Sequence, residues 1–256
     1  INLIKNIIAF CLFSPVILTL DFKSNLREVF ILLLSGIIGI AIGDSFYITS
    51  LKKLGTRTTL SVEALSPLLA TILGSFVLNE MPSLKVWFGI LIVSISLIGI
   101  ASQKSKRRED LKSTVKERHG FVFAFLSVIC AVIAAILSRL VLINSDLNPF
   151  QTSVIRLLGS LIVLVPFVKV NLARVITELP FENKSSLFYA SFLGTNLGIL
   201  LQQNVFKLLP IGLGWTLLST SPAFSLLFAK AEGEKLNWKS LLFTATIILG
   251  VATAFF

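Results

Sequence analysis

Nine stretches of the chain are almost unbroken runs of apolar side chains: residues 1–20, 29–51, 58–79, 84–101, 120–143, 150–170, 186–207, 212–229 and 238–256. A helix needs about 20 mostly apolar residues to cross a bilayer, and each run is close to that length. The connections are short and polar, as from Asp21 to Glu28, Lys52 to Arg57, Asn79 to Ser83 and Asn144 to Pro149. Strands do not fit. An open sheet edge has no hydrogen-bond partner in lipid, and the strands of a barrel are shorter and alternate in polarity. The runs predict an all-α membrane protein, a polytopic helical bundle with nine helices in this chain.

Composition agrees. Only 14% of the residues are charged and 55% are hydrophobic, against about 25% charged in soluble domains. In water the excess apolar surface would lie in large exposed patches; lipid tails solvate it instead. The net charge of +10 does not point to nucleic acid, because the basic residues fall in short clusters between apolar runs. Cys11 and Cys130 lie inside apolar runs and read as small buried hydrophobes. The single histidine, His119, sits in a charged loop, so no histidine cluster offers a metal site and no cofactor is expected. The expected partners are the bilayer and a small-molecule solute, with the chain a monomer or homodimer.

One segment differs. Residues 102–119, SQKSKRREDLKSTVKERH, carry seven basic and three acidic side chains and divide the chain into 1–101 and 120–256. The segment reads as a solvated connector, or as a polybasic stretch touching anionic lipid. The second half echoes the first. Lys5 and Pro15 are spaced like Arg156 and Pro166, and Gly39-x-x-x-Gly43 recurs as Gly194-x-x-x-Gly198. Gly43 to Ser66-Pro67 is the same distance as Gly198 to Ser221-Pro222, with Glu80 and Glu234 following. The second half holds five of the runs. By registration the first half lacks an opening helix, so ten helices in two five-helix repeats are expected for the intact protein. An odd number of spans per repeat inserts the halves in opposite orientations, the inverted-repeat plan of many secondary transporters.

These landmarks resemble the two EamA domains of the drug/metabolite transporter superfamily, over blocks 39–101 and 194–256 and, less closely, nearly the whole chain. The matching order is a glycine-rich helix, a short turn, a helix with Ser66-Pro67 or Ser221-Pro222, a turn glutamate and a last helix containing glycine. Lys5 and Arg156 stand where the family has a basic residue early in the second helix of each repeat, Lys5 replacing the usual arginine. The resemblance implies export or exchange of small metabolites, amino acids or drugs without ATP, and leaves the substrate open.

Charges within membrane helices cost several kcal/mol unless paired or hydrated, which singles out Asp44 and Glu63. Counted from a turn near Leu54 they lie at similar depth on consecutive helices. They can therefore face one cavity and share a proton, or each bond a neighbouring helix, with Glu63 pairing with Lys5. Their repeat mates are Ile199 and Leu218, and the second half offers Asn196, Gln202, Gln203 and Asn204 instead, not all of which can face one way. Tyr47 registers with Gln202. Arg156 suits an anionic substrate group through bidentate bonds, or else a salt bridge or an interfacial anchor. Gly39, Gly43, Gly194 and Gly198 are expected to let helices approach closely, and Pro67 and Pro222 to kink theirs.

The function expected is a secondary transporter of small metabolites in the inner cell membrane, working by alternating access at a midplane cavity between the repeats. The alternative is a membrane-embedded enzyme acting on a lipid-linked substrate, but the chain shows no H-E-x-x-H, no Asp-rich metal motif and no nucleophile elbow. Nor does it contain the G-x-x-x-x-G-K-[ST] loop of an ATP-driven pump. Basic loop residues concentrate on the face of the 102–119 segment, including Lys52, Lys53, Arg57 and Lys169. The positive-inside rule places that face in the cytoplasm, opposite to the arrangement usual in the resembled family.

Overall fold

The computed structural model describes residues 2–20, 25–101, 114–167, 185, 188–189, 191–220 and 238–255. Among them every regular element is helical. Helix α1 (Asn2–Phe13) runs on as a 3-10 segment, Ser14–Thr19. Helix α2 (Leu26–Gly36), a π-helical segment (Ile37–Gly43) and α3 (Asp44–Leu54) follow without interruption. Next come α4 (Thr56–Glu63), α5 (Ser66–Val77), α6 (Leu84–Ala101), α7 (Thr114–Asn144) and α8 (Pro149–Phe167). A second π-helical segment (Ser191–Leu197) leads into α9 (Gly198–Leu208), before α10 (Ile211–Leu218) and α11 (Trp238–Phe255). Each of the nine apolar runs is helical where it is described. Five stretches are long and apolar enough to cross a membrane: Asn2–Thr19, Leu26–Leu54, Thr58–Val77, Arg118–Asn144 and Pro149–Pro166. Shorter apolar helices lie at Leu84–Ile100 and Leu241–Phe255. Large apolar side chains such as Leu26, Phe76, Phe88 and Ile248 are exposed, as a lipid-facing surface requires.

Three boundaries depart from expectation for local reasons. The polar loop expected from Lys52 to Arg57 shrinks to Gly55, which takes φ 77° and whose amide bonds the Leu51 carbonyl at 2.9 Å. Only glycine enters that region without steric cost. Helix α7 starts at Thr114, inside the segment expected to be a connector through residue 119, because no glycine or proline breaks Thr114–His119; residues 102–113 lie outside the described residues. Pro67 does not kink a continuous helix. The helix breaks before it, at Ala64–Leu65, and Pro67 sits in the first turn of α5, where its missing N–H costs nothing. Pro222, Ser221 and Glu234 lie outside the described residues.

The helices pack into two compact units, Ile1–Ser45 with Ile133–Leu208, and Phe46–Val132 with Leu209–Phe256. Each unit thus draws on both halves of the sequence and joins elements that the repeat relates. In the first, α8 packs on α1, α2 and the π segment after α2. In the second, α6 packs along α11 and α5 along α10. π-Helix is rare, and its two occurrences fall at nearly the same point of the repeat, 37–43 and 191–197.

Lipid is as apolar as leucine, so helices associate in it through close packing and polar contacts. In the first unit a Cβ at Gly36 would meet the Arg156 carbonyl, and one at Gly159 the Leu33 carbonyl, so α2 and α8 touch backbone to backbone. Ser35 Oγ donates to the Ala134 carbonyl at 2.7 Å and lies 2.9 Å from Ser138 Oγ. In the second unit Gly89 and Gly250 face each other, Ser96 Oγ and Thr246 Oγ1 are 2.8 Å apart, and Gly212 lies against Thr71. There Glu80 Oε2 accepts from the Ile211 amide at 2.7 Å, placing a carboxylate on the N-terminus of α10. The turn glutamate of the first half therefore caps a helix of the second.

The glycines expected to mediate close approach divide. Gly39 does so, since a Cβ there would lie 2.7 Å from Ala134 Cβ. Gly194 has no neighbour within 4 Å among the described residues, and Gly198 has only Leu193 O at 3.8 Å. These two sit in or just after a π segment. Over-packing costs typically about 1–3 kcal/mol. Gly36→Val is therefore expected to lower the thermal midpoint of the detergent-solubilised protein, and Gly194→Ala to leave it nearly unchanged; equal midpoints for the two variants would contradict the packing described.

Candidate functional site

Three charged residues of the first unit, Lys5, Asp44 and Arg156, lie on α1, at the end of the π segment and on α8. The Lys5 ammonium lies 2.7 Å from Asp44 Oδ2, with side-chain exposures of 27% and 37%. Asp44 is the first residue of α3, directly after the π segment. On α1, Asn2 and Asn6 flank Lys5 and are both buried. Asn2 Nδ2 donates to the Ile40 carbonyl at 3.0 Å, and Asn6 Nδ2 to Asn2 Oδ1 at 3.2 Å. These bonds hold α1 against the π segment and set Lys5 over Asp44.

Arg156 is the repeat mate of Lys5, and its environment differs. It is only 4% exposed. Its Nη2 lies 3.5 Å from the point where a Gly39 Cβ would stand, so the guanidinium lies against the π segment. Its Nε and Nη1 have no hydrogen-bond partner among the described residues. The carboxylate of Asp44 is held by Lys5. The three residues thus supply two cations and one anion.

Asn196, in the second π segment, donates through Nδ2 to the Ala9 carbonyl at 2.8 Å. Ala9 packs with Ile40 and Leu157, with Ile199 against them, which places Asn196 beside the cluster that adjoins Arg156. Its Oδ1 has no partner.

In the second unit Glu63 accepts from Ser127 Oγ at 2.9 Å. Lys5 thus pairs with Asp44, not Glu63, and the two acids belong to different units with separate partners. Tyr47 and Gln202 are both half-buried; the Tyr47 carbonyl accepts from Ser50 Oγ at 2.8 Å. The fully buried amide of the second half is Gln203, neither of whose amide atoms has a partner. Sequence reasoning passed over Asn2 and Asn6, and named Gln203 without ranking it above Gln202. The first two carried a signal, since amides four apart on a helix share a face.

The EamA-like transporter family model matches residues 1–102 and 118–256. A solved crystal structure, described only as that of a protein, is similar at a TM-score of 0.75 with 16% identity, over 99% of this chain and 86% of that one. At that identity the likeness speaks to the fold alone. No curated protein matches.

Breaking a fully buried ion pair costs about 3–5 kcal/mol; the partial exposure of Lys5 and Asp44 reduces this to roughly 1–3 kcal/mol through solvent screening. Lys5→Met and Asp44→Asn are each expected to destabilise the protein, and the double variant to lose less than the sum. A strictly additive double-mutant cycle in denaturant unfolding would show that the pair is not coupled.

Proposed function

The chain belongs to the EamA-like transporter family, and on that premise we propose that it is a secondary transporter of small metabolites, such as amino acids or drug-like solutes, working by alternating access. Several of its helices can each span a bilayer, making it a multi-pass integral membrane protein. We place it in the inner cell membrane, as a monomer or homodimer.

The observation that carries the reading is the Lys5–Asp44 ion pair beside an unpartnered Arg156. A bundle that only holds itself together gains nothing from three charges inside apolar helices, each of which is costly. Charges so placed serve solutes or protons that cross. Asp44 is the carboxylate suited to take up and release a coupling proton or cation, because it is partly open and its one close partner is a flexible lysine. The π segments favour the same reading. They replace ordinary helical bonds at matching points of both halves, next to Asp44 in one and at Asn196 in the other. Such segments recur at functional sites, and here they give each half a place to flex.

The test is uptake of a radiolabelled amino-acid and metabolite panel into proteoliposomes under an imposed proton gradient. Asp44→Asn is expected to reduce gradient-driven uptake at least about tenfold, or roughly 1.4 kcal/mol of barrier. Asp146→Asn, at an exposed position, should transport normally. Normal uptake by Asp44→Asn would remove the coupling role.

A further inference from the structure

We propose that Arg156 is a carboxylate-binding residue and that the transported solute bears a carboxylate; this rests on the transporter reading above. The inference follows from an imbalance of charge. Lys5, Arg156 and Asp44 supply two cations and one anion, and the anion is already bonded to Lys5 at 2.7 Å. Arg156 is buried, with Nε and Nη1 unpaired among the described residues. Leaving a buried ion without a partner is strongly unfavourable, so the arrangement holds only if a partner arrives during the working cycle. Asp44 serves poorly as that partner, because turning to Arg156 would strip Lys5 of its own.

The geometry points to a planar anion. A guanidinium presents its donors as a rigid fork that fits the two oxygens of a carboxylate, and it stays charged at any working pH. The guanidinium lies against the π segment, with Nη2 3.5 Å from where a Gly39 Cβ would stand. In this conformation the guanidinium is closed off, so the solute reaches it in another conformation of the cycle. A carboxylate on the solute gives the guanidinium its counter-charge in a medium of low dielectric.

The experiment measures thermal stabilisation of the purified chain in phosphatidylcholine nanodiscs, a neutral lipid that excludes acidic headgroups as the anion. The probes are acetate, butyrate, benzoate and phenylalanine, each set against its amide. A ligand that binds only the folded state raises the midpoint. At least one acid is expected to raise it while its amide does not. Arg156→Gln should abolish that response, and Arg156→Lys should keep it with apparent affinity about tenfold weaker, as expected from losing one charge-assisted hydrogen bond. If Arg156→Gln does not fold, the contrast of acid with amide and the weakened response of Arg156→Lys decide the matter. The proposal is overturned if acids and amides stabilise alike, if no acid stabilises, or if Arg156→Gln retains the response. Saturable uptake of a solute without a carboxylate, together with no acid response, would leave the transporter reading standing and remove this one. An acid response that depends on Arg156, in a protein that transports nothing, would do the reverse.

Discussion

The contact between Lys5 and Asp44 sets the terms for the first unit. A carboxylate inside an apolar helix must be neutralised or hydrated, because lipid and packed side chains solvate it poorly. Lysine supplies the charge from α1, and the buried amides Asn2 and Asn6 pin α1 to the π segment from which Asp44 emerges. Once Lys5 is committed to Asp44, its repeat mate Arg156 is left buried without an equal partner. The two halves share a framework in which each places a cation at the same helical position, but only the first supplies an acid. At the register position of Asp44 the second half has Ile199. Symmetric scaffold and asymmetric charge together produce the site.

Glycine makes that scaffold possible in a solvent that offers no hydrophobic drive for helices to meet. Where α2 crosses α8, Gly36 and Gly159 let backbone lie on backbone, and Gly39 lets the π segment approach Ala134 on α7. Elsewhere the same sequence signature means something else. Gly194 is the repeat mate of Gly39 but touches nothing within 4 Å among the described residues.

Much of the architecture was legible in the sequence because it rests on composition over long windows. A run of about 20 apolar residues has few alternatives to a spanning helix, so the helices fall where the runs lie. Their ends were less legible, since they depend on single residues such as Gly55 and on the absence of breakers in Thr114–His119. The π segments have no residue pattern of their own and could not be read in advance. In the site, Lys5, Asp44 and Arg156 stood out because charge in an apolar run is conspicuous. Their pairing did not, because Glu63 lies at a similar sequence distance from the turn and competes on paper for Lys5; the structure gives it Ser127 instead. Gln203 was passed over for Gln202 because adjacent amides on a helix cannot be ranked by burial without the neighbours that bury them. The turn glutamate Glu80 was noted as a landmark, while its work, capping α10 across the repeats, needed three dimensions.

The central claim is that the cluster around Asp44 is reached by water and solute from each side of the membrane in turn. Ser45 follows Asp44 and is half-buried beside it. The direct measurement uses Ser45→Cys in a variant carrying Cys11→Ser and Cys130→Ser, labelled with a membrane-impermeant thiol reagent in right-side-out and in inverted vesicles. The account predicts labelling in both preparations. Labelling in neither preparation, or from one face only, would contradict it.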